Sequence, residues 1–268
     1  MSRFRAGPVL CLLAVLAAVF LILPLLSIVP VSFTPKRFLS LPDAEWSLRH
    51  YASLFTDPNW AQSAWISVKV GLVAAMASTL LALAFTLGLW MMQPRFAGLM
   101  AGLALLPMLA PPVVSALVLY FFLNWLSGIS PAIGYDSWLG VALAHSVMVV
   151  PYAVVILLVA LSQLDRKIDL AAKSMGASVP MRIRRVIIPN IRFGIAGAFL
   201  MSFILSWDEI GVTLFITSVN AITLPRRMWM GLRDNIDPAV AALSVLIIAI
   251  VTVVVLARAI WVHHKEKA

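Results

Sequence analysis

Residues 164–192 read LDRKIDLAAKSMGASVPMRIRRVIIPNIR, a polar and basic interruption in a chain that is otherwise apolar almost throughout. The segment has an organised interior. Leu164, Ile168, Ala171, Ala172 and Met175 recur at helical spacing, with Asp165, Arg166, Lys167, Asp169 and Lys173 around them, which predicts an amphipathic helix. Gly176 falls where a helix ends on a left-handed residue. Ser178 can cap a second helix whose first turn tolerates Pro180. Pro189 is expected to close that helix and start the approach to the next apolar run. Two short helices with a bend, lying on a membrane face, suit docking to another protein. An amphipathic helix resting on acidic lipid is the alternative that composition leaves open.

Around this segment the chain has 268 residues, of which 62% are hydrophobic and 12% charged, with a mean hydropathy of +1.01. That is too little charge to clothe a soluble core, so the fold class is all-α, a polytopic membrane helical bundle. A closed β-barrel is excluded because the apolar runs are continuous rather than alternating in short units. The formal charge of +9 would suit a nucleic acid, but the basic residues cluster in connections between apolar runs, as membrane orientation produces. No nucleic-acid partner is expected; lipid is. The single cysteine, Cys11, lies in an apolar run, so no disulfide framework is expected, and neither a cofactor nor a metal site.

Six spans read off the sequence, at about Val9–Phe33, Ala64–Met92, Leu99–Leu126, Trp138–Gln163, Gly194–Val219 and Pro238–Trp261. The first is too long for a signal-peptide core and is read as retained. The third contains Pro107, Pro111 and Pro112, which predict kinks. One side of the spans receives Arg3, Arg5, Arg95, the seven basic residues of the 164–192 loop, Arg258, Lys265 and Lys267. The other receives Lys36, Arg37, Arg49, Arg226, Arg227 and Arg233, diluted by acids that include Asp136, Asp234 and Asp237. The more basic side is cytoplasmic, so both termini and the patterned loop are expected there.

Deep in the fifth run lies Ser206-Trp207-Asp208-Glu209, followed by Thr213. Each carboxylate near a bilayer centre costs on the order of 2.5–3.5 kcal/mol, so the pair must face a wet cavity or a cation. An inter-helix ion pair with Lys69 is one reading, a pathway for cationic cargo another, and a pair of protonated carboxyls a third. A proton-coupled secondary transporter would use the same pair as a relay. His145, in the fourth span, is expected to be a hydrogen-bonded packing residue rather than a proton relay.

The spacing Ala171-Ala172, three residues, Gly176, nine residues, then Val186-Ile187-Ile188-Pro189 resembles the "EAA" loop of permease subunits of binding-protein-dependent ABC importers. The resemblance implies a type I importer permease, one transmembrane domain over 1–268, whose 164–193 loop forms coupling helices that enter a groove on an ATPase. It assigns docking to Asp169, Ala171, Ala172, Gly176, Ala177 and Pro189. Leu170 stands where the family has Glu, and Asp169 lies one residue, about 100° of helix, away. Ser206-Trp207-Asp208-Glu209 with Thr213 and Phe215, then Thr223-Leu224-Pro225 and Ile236-Asp237-Pro238 before Ala242-Leu243-Ser244, resembles the spermidine/putrescine branch, features shared with permeases for opines and other organic solutes. That implies a substrate pathway at Trp207, Asp208, Glu209 and Thr213 in a bacterial inner membrane. It also implies a second permease, a distinct paralogue, with two ATP-binding subunits and a periplasmic solute-binding protein. The chain itself has no Gly-x-x-x-x-Gly-Lys-Ser/Thr loop, so it is expected to be a non-catalytic subunit.

Overall fold

A computed structural model describes residues 7–43 and 45–267, and of residues 234, 235, 263, 264, 266 and 267 the backbone only. Arg3, Arg5 and the side chains of Asp234 and Lys267, all used in assigning orientation, therefore lie outside the described residues. Every regular element among those described is helical. In chain order they are α1 (Pro8–Ser32), α2 (Arg49–Thr56), α3 (Pro58–Met92), α4 (Ala97–Ala104), α5 (Leu106–Leu109) and α6 (Pro112–Ser127), then α7 (Trp138–Ser162), α8 (Arg166–Ser174) and α9 (Val179–Arg182), then α10 (Ile188–Asp208), α11 (Thr213–Ile216), α12 (Leu224–Met230) and α13 (Ala239–Lys267). Among the described residues, five stretches are long and apolar enough to cross a membrane: α1, α3, α7, Val179–Asp208 and Ala239–Val262.

The predicted third span is not one helix. Leu99–Leu126 is divided among α4, α5 and α6, the longest piece being the 16-residue α6. Its three prolines lack the N–H that would continue the ladder, and the chain leaves helix at Ala110, with Pro111 extended before α6. The predicted fifth span, Gly194–Val219, also differs. Its helix starts earlier, and it stops at Asp208, where Glu209 turns to an extended backbone of ψ 113°.

The chain divides into two compact units, 1–61 with 228–268, and 62–227. In the first, α13 packs on α1 and α2, and Phe33 lies against Trp46 and Tyr51 at centroid distances of 5.5 and 5.3 Å. Helix α1 is apolar and exposed on nearly every face, which in a membrane means lipid. In the second unit α7 is the axis: Val141, Val154, Leu157 and Leu161 are buried along it, and α10 packs against its length. The two helices approach closely because position 194 is glycine. A Cβ there would stand 2.4 Å from the Ala160 Cβ.

The 164–192 loop folds as two helices with a bend, but its details depart from expectation. Asp165 caps α8 by accepting the Lys167 N–H at 2.9 Å. Gly176 makes the bend at φ +82°. Ser178 occupies the cap position of α9 without a side-chain bond. Pro189 does not close a helix. Residues Ile183–Ile187 form a π turn in which the Ile188 N–H bonds the Ile183 carbonyl, five residues back. This wider register carries the chain past a residue with no N–H, so α9 runs through into α10.

Candidate functional site

The expected pathway residues gather at the break between α10 and α11. Trp207 lies half-buried against Phe203, with centroids 6.0 Å apart. Asp208 is exposed at the last position of α10. Glu209 turns back on the break, its Oε1 accepting the Val212 N–H at 2.8 Å. Thr213 is buried and donates to the Glu209 carbonyl at 3.0 Å. A Cβ built on Gly211 would meet Pro112 Cβ at 3.5 Å, so this break runs beside the start of α6, where the third apolar run is broken too. Two interrupted helices thus meet around one acidic pair. Non-helical backbone at membrane depth is tolerated where protein or a water-filled cavity satisfies it, and helix breaks of this kind form ion and substrate sites.

The Lys69 ion pair does not form. Among the described residues no ion pair joins Lys69 to Asp208 or Glu209. Its ammonium lies instead over the Trp138 ring, 4.8 Å from the centroid, with Trp65 at 6.0 Å. A cation held on aromatic faces needs no carboxylate to be stable there.

His145 was expected to pack with a hydrogen bond; it makes two. Its Nδ1 lies 2.9 Å from Ser206 Oγ and its Nε2 2.8 Å from Thr213 Oγ1. These partners are 61 and 68 residues away in sequence, so only the packing of α10 and α11 on α7 reveals them.

In the 164–192 loop, Asp169 faces inward. It is 6% exposed and forms a bidentate pair with Arg182, whose Nε donates to Oδ1 at 2.7 Å while Nη2 donates to Oδ2. Ala172 is buried beside it, whereas Ala171, Gly176 and Pro189 are exposed and Ala177 is half-buried. Most of the expected apolar stripe is therefore exposed. The inward face carries Asp169 and Ala172, and Leu170 at 57% and Met175 at 81% exposure point out with Ile168. The carboxylate nearest the family's Glu position is engaged inside the loop, and an apolar side chain stands at the position itself.

On the opposite end of the same unit, Asp136 (φ +55°) receives the backbone N–H groups of Ser218, Val219, Asn220 and Ala221 at 2.7–3.3 Å. Burial pushes its carboxyl up, but those four donors together hold it below the ordinary carboxylate value. Ser67 Oγ accepts the Leu224 N–H at 2.7 Å, which fixes the Thr223-Leu224-Pro225 turn on α3. Nothing in the sequence pattern pointed to the Asp136 cap, because loop backbone rather than side chains supplies the partners.

Residues 80–265 match the family described as binding-protein-dependent transport system inner membrane component. The chain is 29% identical over 232 residues to a spermidine/putrescine transport system permease protein, PotC of Haemophilus influenzae, covering 86% of this chain and 87% of the relative. It is 30% identical over 241 residues to the putrescine transport system permease protein PotI of Escherichia coli K12, covering 88% and 84%. A probable molybdenum ABC transporter permease protein of Haloferax volcanii is 31% identical over 201 residues, covering 72% and 74%. Among solved structures, a bacterial ABC transporter involved in the import of the acidic polysaccharide alginate shares the fold. Its TM-score is 0.69 at 12% identity over 95% of each chain. These relatives are permeases, non-catalytic components of transport systems.

Proposed function

Because the chain belongs to the inner membrane components of binding-protein-dependent transport systems, we propose that it forms half of the pathway for a small cationic organic solute, a polyamine such as spermidine or putrescine. The observation that carries this is the break at Glu209. It sets two carboxylates, unpaired with any cation among the described residues, at the end of an apolar helix. A di- or polyamine supplies the counter-charge that such a site lacks. The names of PotC and PotI agree with a polyamine. The Haloferax relative, of similar identity, is named for molybdenum, so relatedness alone does not choose the cargo.

In this reading residues 1–268 make one transmembrane domain in a bacterial inner membrane, with both termini and the 164–193 loop in the cytoplasm. A second permease, a distinct paralogue, completes the pathway, and a periplasmic binding protein delivers the solute. Two ATPase subunits drive it through the outward face of the loop: Leu170, Ala171, Met175 and Gly176, edged by Ala177 and Pro189. Asp169 and Ala172 act from inside, holding the loop's shape. A proton-coupled carrier would run without those ATPases.

The test is uptake of labelled spermidine and putrescine by the complete transporter in proteoliposomes. Asp208→Asn with Glu209→Gln is expected to lower uptake by at least about tenfold, the effect of losing one charge-assisted contact. Unchanged uptake at equal insertion overturns the assignment. Uptake of an opine rather than a polyamine, still dependent on the acidic pair, moves the cargo but keeps the site.

A further inference from the structure

We propose that His145 is a positioning residue for the pathway: its ring ties together the two ends of the break in the fifth apolar run and so fixes where Asp208 and Glu209 stand. This rests on the reading of those two carboxylates as pathway groups.

Ser206 lies two residues before the end of α10 and Thr213 opens α11. One imidazole, fully buried on α7, contacts both. The direction of the bonds is set at one end. The Thr213 hydroxyl donates to the Glu209 carbonyl, so its oxygen receives the His145 Nε2–H. A neutral ring then accepts at Nδ1 from the Ser206 hydroxyl. The chain Ser206 to His145 to Thr213 to Glu209 uses each donor once and ends on the backbone of the acidic residue.

That endpoint matters. The last carbonyls of a helix have no partner within it, and a break inside a membrane has little water to supply one. Glu209 is held twice, by its carbonyl through Thr213 and by its carboxylate through the Val212 N–H. Remove the ring and α11 keeps its bond to Glu209, but the hydrogen-bonded tie from α7 to both ends of the break is lost. Residues 208–211 are then freer to shift as a hinge, carrying both carboxylates with them.

The experiment places a single reporter cysteine in the break, Ile210→Cys in a Cys11→Ser background, within the reconstituted transporter. His145→Leu is expected to raise thiol labelling at position 210 several-fold. It also raises the polyamine concentration for half-maximal uptake about tenfold, as loss of a positioning contact does, at unchanged abundance. His145→Gln, whose amide can donate and accept like the neutral ring, brings both to within about threefold of wild type. Thr213→Val added to His145→Leu adds only the loss of the Thr213–Glu209 bond, because the link to the ring is already cut. If His145→Leu fails to insert, Thr213→Val alone carries the labelling test.

Labelling and half-saturation unchanged in His145→Leu, while the Asp208→Asn, Glu209→Gln chain loses uptake, overturn the positioning role alone. Uptake surviving neutralisation of the acidic pair overturns the pathway reading and the positioning role with it. Equal defects in His145→Leu and His145→Gln also overturn the proposal, since they reduce His145 to shape.

Discussion

Glu209 combines two properties that substitution can separate, a carboxylate charge and an acceptor for the Val212 N–H. Glutamine keeps the acceptor and removes the charge; alanine removes both. Glu209→Ala is therefore expected to destabilise the inserted chain by about 1 kcal/mol, the net worth of such a bond, while Glu209→Gln leaves stability near wild type and lowers only transport. Thermal unfolding of the two variants in detergent checks this, and equal loss in both counts against the cap. Asp136 yields a pH prediction. Its carboxyl is lower in the folded chain than when unfolded, so the fold binds the proton less readily. The resulting stabilisation is complete above about pH 4, the unfolded value, and disappears as pH falls through the folded one. Asp136→Asn should be less stable than wild type at neutral pH, with the gap closing in acid; a gap independent of pH rejects the linkage. At this scale the acidic pair was legible in sequence because charge in an apolar run is costly and conspicuous. The partners of His145 and Asp136 were not, since one set lies across a helix interface and the other is loop backbone.

Among elements, the 164–192 loop tests how far pattern reading goes. Its bend was legible because a glycine after a helical stripe has few other uses, and Gly176 adopts φ +82°. What the stripe did not reveal is that Asp169, read among its polar surroundings, is buried. Periodicity treats Asp169 as a polar residue to be solvated, and cannot know that Arg182, thirteen residues on, neutralises it in place. Nor does a residue count reveal the π turn that takes the chain past Pro189, because it is a choice of hydrogen-bond register. The Asp169–Arg182 pair links α8 to α9 with both side chains near 10% exposure. Asp169→Asn leaves Arg182 without its carboxylate partner, so it is expected to loosen the loop. Faster proteolysis between residues 164 and 192 reports that loosening. Asp169→Leu with Arg182→Leu leaves no charge behind and should restore much of the protection; a double variant as labile as the single one would show that the pair is not the tie.

For the whole molecule the question is how motion in separate ATPase subunits reaches a break in α10. The covalent route is short. The helix that begins at Val179 under the bend continues through the π turn to Asp208 without interruption, so under the proposed function displacement of the loop would travel along one rod to the acidic pair. A helix of 30 residues spans about 45 Å at its ordinary rise, enough to connect a cytoplasmic surface to the far half of a bilayer. Gly176 lies at the exposed head of that route, and a Cβ added there meets no atom within 4 Å. Aspartate tolerates a left-handed backbone better than most residues, so Gly176→Asp should insert and fold. Its effect then belongs to the assembly: a carboxylate projecting from the docking face obstructs close approach of the ATPase. Substrate-stimulated ATP hydrolysis should fall by about tenfold or more, while abundance and detergent stability stay near those of Gly176→Asn, which shares the backbone tolerance without the charge. Stimulation retained in Gly176→Asp would mean that the bend does not face the motor, and that the rod is driven from another part of the loop.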